Sequence, residues 1–77
     1  MVPEIDLHGM TKDEALAEVD REINHAFIQE TEDRRLSFIT GWGNVLRPAT
    51  QAFLAEHPLV KEISVDGPVL RITIEDL

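Results

Sequence analysis

Leu36-Ser37-Phe38-Ile39-Thr40-Gly41-Trp42-Gly43-Asn44-Val45-Leu46-Arg47 is the stretch whose reading decides the fold. Its first four residues are a short apolar run rich in strand formers. Beyond the two glycines, Leu46, Ala49 or Thr50, Phe53 and Leu54 recur at helical spacing. The stretch therefore reads as a strand, a glycine-bracketed turn and a helix. Glycine at 41 and 43 lets the backbone turn tightly and come close to a ligand. Free N–H groups and the positive dipole end at a helix start favour a phosphate or carboxylate there. A lone G-x-G pair is more often a turn device than a binding loop. Pro48 fits only in a first helical turn, where its missing N–H has no partner, so the helix is expected to begin between Asn44 and Arg47 with Asn44 as its cap. Glu56-His57-Pro58 closes it, because a residue before proline is pushed out of the helical region. His57 then reads as a helix-end cation or a surface residue.

Toward the N-terminus, Ile5 and Leu7 alternate with Asp6 and His8. In an extended strand the apolar pair faces the core and Asp6 and His8 share the other face. After Gly9, Thr11-Lys12-Asp13-Glu14 matches a capping box. Leu16, Val19, Ile23 and Phe27 follow as one apolar stripe, with Ala15 and Ala26 beside it, on a helix running to about Glu30. Glu14, Glu18 and Glu22 form a like-charge row on its solvent side, and His25 reads as a surface residue. Polar Thr31 to Arg35 is a loop. Toward the C-terminus, Val60 to Val65 and Val69 to Glu75 are strand-like, with Asp66-Gly67 between them as a hairpin signal. The order is strand, helix, strand, helix, strand, strand: an α/β domain in which a four-stranded sheet carries two helices. Phe38, Phe53, Leu54, Ile63, Val65, Leu70, Ile72 and Ile74 join the stripe of the first helix in the expected core.

Composition bounds the rest. The 77 residues make a single domain, 1–77, small enough that folding hides only about 60% of the surface of the unfolded chain. Hydrophobic residues at 43% and charged residues at 29% are those of a globular domain, not a disordered tail. There is no cysteine, which removes disulfides and thiolate metal sites. No apolar run is long enough to span a bilayer, and Met1-Val2-Pro3-Glu4 lacks the pattern of a signal peptide, so a cytoplasmic location with no membrane contact is expected. Fifteen acidic against seven basic residues give a net charge of −8. This opposes non-specific attraction to nucleic acid, which depends on Lys and Arg neutralising phosphates.

The ordered set Ile5-Asp6-Leu7-His8-Gly9, Thr40-Gly41-Trp42-Gly43, Leu46-Arg47 and Glu56-His57-Pro58 resembles the Smr (small MutS-related) domain family over nearly the whole chain. The resemblance implies a two-layer α+β sandwich. It also implies a place at the C-terminus of MutS2-type recombination-suppressing proteins, in stand-alone proteins, or beside other nucleic-acid-handling domains, and for several members nicking of DNA or RNA. The family's L-D-L-H signature maps onto Ile5 to His8 and its H-G-x-G signature onto Thr40 to Gly43. Three departures stand out. Thr40 replaces the family's histidine and removes an imidazole. The loop is a residue shorter before Leu46, and the glycine-rich connection before the last strand is reduced to Asp66-Gly67-Pro68. The chain is also more acidic than many nucleic-acid-binding members.

Phosphodiester hydrolysis needs an activated water, charge stabilisation at phosphorus oxygens and a proton for the leaving oxygen. With the resemblance, Asp6 and His8 become the candidate catalytic pair. Asp6 would orient His8 or hold a hard cation such as Mg or Mn, and His8 would act as acid or base. Thr40, Gly41, Trp42, Gly43, Asn44, Arg47 and Lys12 become candidate nucleic-acid contacts, with Arg47 on a phosphate and Trp42 offering its ring to a base. The bland alternative is that Asp6 caps a local turn and His8 fills a polar pocket. Two functions follow: a DNA- or RNA-binding domain with weak metal-dependent nicking, monomeric and accompanied by other domains of a larger chain, or a non-catalytic module that binds a protein or small anion through its acidic first helix. A basic patch joining Arg34, Arg35, Arg47 and Lys12 would favour the first, and scattering of those residues the second.

Overall fold

The computed structural model describes residues 2–29 and 34–75. The expected end of the first helix at Glu30 and the loop residues Thr31 to Asp33 lie outside the described residues. The elements run β1 (Glu4–Asp6), α1 (Lys12–Gln29), β2 (Arg35–Ile39), α2 (Leu46–Glu56), β3 (Val60–Asp66) and β4 (Val69–Ile74). They form one mixed sheet in the order β1-β2-β4-β3. β1 pairs in parallel with β2, and β4 runs antiparallel between β2 and β3. This is the expected α+β architecture. Right-handed crossovers from β1 to β2 and from β2 to β3 carry both helices to the same face of the sheet, where α1 and α2 pack together.

The core lies between sheet and helices. Leu36 and Phe38 of β2 and Leu70, Ile72 and Ile74 of β4 face it, as the alternation predicts. Leu7, just past β1, is fully buried, and its N–H donates to the Ile39 carbonyl at 2.8 Å. The face of α1 is turned from the expected stripe. Ala15, Val19, Ile23 and Ala26 are its buried positions, while Leu16 and Phe27 sit at the flanks. Small alanines let the helix come close to the sheet, so the larger side chains border the contact instead of centring it. Val65, expected in the core, is 41% exposed because β3 is an edge strand.

The capping box forms as read: Glu14 N–H donates to Thr11 Oγ1 at 3.2 Å and Thr11 N–H to Glu14 Oε1 at 2.9 Å. The acidic row beyond it is partly neutralised. Arg21 bridges Glu18 at 2.7 Å and Glu22 at 2.8 Å, and its hydrogen bonds hold the Glu18 carboxyl below the usual range. At α2 the expected Asn44 cap is replaced by Val45, which has no side-chain capping bond. A side-chain cap needs an extended backbone, whereas Val45 already has helical angles (φ −106°, ψ −58°) and Asn44 is one residue too early.

His57 is not a surface cation. Its ring nitrogen Nε2 lies 2.8 Å from Asp20 Oδ1 of α1, and Nδ1 accepts from Leu59 N–H at 3.1 Å. An accepting Nδ1 puts the proton on Nε2, which donates to the carboxylate. The side chain is 7% exposed and meets Phe53 edge-on. It joins the end of α2 to the middle of α1.

Candidate nucleic-acid interface

Parallel pairing of β1 and β2 brings their carboxyl ends to one edge, with Asp6 beside Ile39. The residues that follow each strand must therefore meet. His8 Cδ2 lies 3.4 Å from where a Cβ on Gly41 would stand, and Gly41 has φ +75°, a conformation that side chains rarely adopt. Glycine at 41 thus permits the turn, and the imidazole lies at contact distance from it. Asp6 Oδ1 accepts from the His8 backbone N–H at 2.9 Å. That contact closes a local turn, so Asp6 holds His8 through its main chain. Both residues are exposed.

Thr40 points the other way. It is 3% exposed, and its hydroxyl lies 3.2 Å from the Pro68 carbonyl and 3.0 Å from the Gly41 carbonyl. The same Pro68 oxygen accepts from Thr40 N–H at 2.9 Å and Gly41 N–H at 3.2 Å. Thr40, expected among the nucleic-acid contacts, is corrected accordingly: it is buried and ties the loop to the β3–β4 turn. Gly67 and Pro68 are the residues that sequence reasoning left out of the site. Their signal is the shortened connection before the last strand, which the sheet order sets beside the glycine loop.

Trp42 is 70% exposed. The Arg47 guanidinium carbon sits over its ring, 5.6 Å from the centroid, and a Cβ at Gly67 would lie 3.1 Å from its Cη2. Gly43, Asn44, Arg47, Pro48 and Gln51 line a shallow cleft of about 260 Å³ next to the loop. Lys12 opens α1, exposed, three residues after Gly9.

The basic residues do not gather. Arg47 and Lys12 belong to the loop edge, but Arg34 and Arg35 precede or open β2 and so lie at its far end, roughly 15 Å away at the rise of a strand. At the strand ends by the loop stand the carboxylates Asp6 and Asp66, the latter paired to Arg71. Among the described residues no three His, Asp or Glu side chains come together as a metal cage, and none of the helices there is long and apolar enough to cross a membrane.

Comparison with known proteins accords with this geometry. The Smr domain family model matches residues 5–68. Endonuclease MutS2 of Caldicellulosiruptor saccharolyticus is 41% identical over 58 residues, 74% of this chain and 7% of that protein. Endonuclease MutS2 of Thermomicrobium roseum is 41% identical over 66 residues, 86% of this chain and 8% of that one. The chain therefore spans under a tenth of the length of the curated relatives it matches. The crystal structure of the Smr domain of Thermus thermophilus MutS2 superimposes with a TM-score of 0.88 at 27% identity, covering 96% of this chain and 99% of that domain. The solution structure of the SMR domain of NEDD4-binding protein 2 gives 0.78 at 28% identity, covering 99% and 88%. Motifs, topology and similarity converge: the chain belongs to the Smr domain family.

Proposed function

We propose that this domain binds DNA or RNA at the edge shared by Asp6, His8, Lys12, the 41–44 loop and Arg47, and that it nicks the bound strand weakly. The observation that carries the reading is the approach of the His8 imidazole to Gly41, on the same edge as Trp42 and Arg47. An imidazole, a carboxylate and the loop N–H groups beyond Gly41 near one phosphate can share proton transfer and charge stabilisation. The names of the relatives, Endonuclease MutS2, support the same chemistry. His8 is the candidate acid or base, Asp6 its positioning partner and Arg47 the phosphate contact.

Two features argue for a low rate. No imidazole stands at position 40, where one acid–base or donor group is typically worth 10²-fold or more. The scattered cations and a net charge of −8 make capture of a polyanion poor. A Mg or Mn ion would find Asp6 as a carboxylate at this edge but no protein cage, so water and substrate phosphate would fill its remaining positions.

Supercoiled plasmid, incubated with the domain in Mg, in Mn and in chelator, tests the reading. Weak nicking that is lost in His8→Ala and Asp6→Asn is expected. Efficient nicking that His8→Ala leaves unchanged would remove His8 from the assignment. The non-catalytic alternative is favoured by two observations: Arg34, Arg35, Arg47 and Lys12 are scattered, and the turn-closing bond from His8 N–H to Asp6 gives the motif a purely local role. On that reading every variant and metal condition leaves the plasmid intact. Its acidic contact surface is weakened by Arg21, which already spans Glu18 and Glu22.

A further inference from the structure

Trp42 is the chain's single tryptophan, and it is mostly exposed. A large aromatic at a loop tip would ordinarily fold back onto the protein to hide its apolar ring. Here it is held outward. Arg47 lies over the ring, and the benzo edge rests against Gly67 of the β3–β4 turn. Gly67 has φ +59°, and its missing side chain is what lets the ring settle so close. The start of the same loop is fixed by the two backbone N–H groups, of Thr40 and Gly41, that donate to the Pro68 carbonyl. An indole held at this angle, with a cation over it and most of its surface free, is a flat face waiting for another flat group.

We propose that Trp42 is a stacking platform for one unpaired nucleobase, so that the domain takes its nucleic acid as a single strand or a locally opened duplex, not as an intact duplex. This rests on the nucleic-acid reading above. The argument turns on which term supplies affinity. At this edge Lys12 and Arg47 can neutralise about two phosphates, which for a single strand gives a salt slope near −1.4 and only about a sevenfold loss between 50 and 200 mM salt. A duplex binder that lives on phosphate contacts needs several times that number of cations. One base stacked on an aromatic ring, by contrast, is worth roughly 5- to 150-fold in affinity. A base inside a duplex can reach Trp42 only after unpairing and unstacking, which consumes a gain of that size. A base in a single strand, a bulge or a mismatch has little to give up. Stacking is tolerant of base identity, so the preference is for an unpaired base and not for a sequence.

The test uses the 77-residue chain, with binding followed by quenching of Trp42 and by anisotropy of labelled strands. The probes are oligothymidylate of about a dozen nucleotides, the matching oligouridylate, a blunt duplex of the same length and that duplex with one bulged thymidine. The expected result is at least tenfold tighter binding to the single strands and the bulged duplex than to the blunt duplex, with quenching. The two single strands compare DNA with RNA. Trp42→Ala should lower single-strand affinity by roughly 5- to 150-fold, while Trp42→Phe keeps most of the preference. Because Trp42 is exposed, neither variant threatens the fold. Blunt-duplex binding as tight as single-strand binding, or an unchanged single-strand affinity in Trp42→Ala, overturns this inference and leaves the nucleic-acid reading standing. Absence of binding to every probe overturns both.

Discussion

Replacing Gly67 with alanine probes the joint between the glycine loop and the β3–β4 turn. Gly67 has φ +59°, and a Cβ there would stand 3.1 Å from Trp42 Cη2 and 3.4 Å from its Cζ2. Two costs follow. The left-handed backbone costs an alanine roughly 1–2 kcal/mol, offset by about 0.4–1 kcal/mol because alanine has less freedom to lose on folding. The contact with Trp42 adds little, since an exposed ring can retreat by the few tenths of an ångström required. The net loss is thus about 1 kcal/mol, which for a domain of this size lowers Tm by roughly 4–8 °C. The second consequence is local: the ring must move, so emission from the sole tryptophan should shift in wavelength or intensity. Asparagine tolerates left-handed angles better than alanine but has the same Cβ. Gly67→Asn should therefore recover part of the stability and none of the emission. Thermal denaturation by circular dichroism and steady-state fluorescence read the two effects separately. If Gly67→Ala left Tm and emission both unchanged, the turn would not support Trp42 as described.

Two further substitutions test the packing. Thr50 is fully buried in α2 and its hydroxyl has no hydrogen-bond partner among the described residues; Thr50→Val removes an unsatisfied polar atom at nearly constant shape and should stabilise the domain by about 1–2 kcal/mol, seen as a raised urea midpoint, with a lowered midpoint showing that the hydroxyl is used. His57→Ala deletes the bond to the Asp20 carboxylate and strands the Leu59 N–H, for a loss of roughly 2–4 kcal/mol, whereas Asp20→Ala at an exposed carboxylate should cost about 1 kcal/mol or less; a His57→Ala loss under about 0.5 kcal/mol, the range of inert surface changes, would return His57 to the surface role read from sequence.

Features set by local chemistry are legible in the sequence. The capping box at Thr11 and Glu14 is closed by residues three apart, and the alternation of Leu70, Ile72 and Ile74 needs only a strand and a core. The meeting of His8 with Gly41 is legible too, because two parallel strands joined by one helix must end at the same edge. What escapes depends on partners distant in sequence. His57 looks like a helix-end cation until α1 brings Asp20 to it across 37 residues. Thr40 looks like a substituted ligand until Pro68, 28 residues on, accepts its N–H and lies within reach of its hydroxyl. Asn44 fails as a cap for a different reason, a backbone angle at Val45 that no residue type reveals.

The placement of the β3–β4 turn explains why a site read from β1 and β2 needs the other half of the sheet. Both ends of the glycine loop lean on that turn, its start through the Pro68 carbonyl and its tip through Trp42 on Gly67. A carbonyl oxygen has two lone pairs, and here three donors lie within 3.2 Å of one. Loss of the Thr40 hydroxyl alone would leave both backbone donors in place, so the anchorage is redundant at its start. The tip has less support, since the indole rests on Arg47 and Gly67 without a hydrogen bond of that kind. The position of Trp42 is therefore the more sensitive to change. It follows that substitutions in the turn should act first on what Trp42 touches, and only afterwards on the pairing of His8 with Gly41.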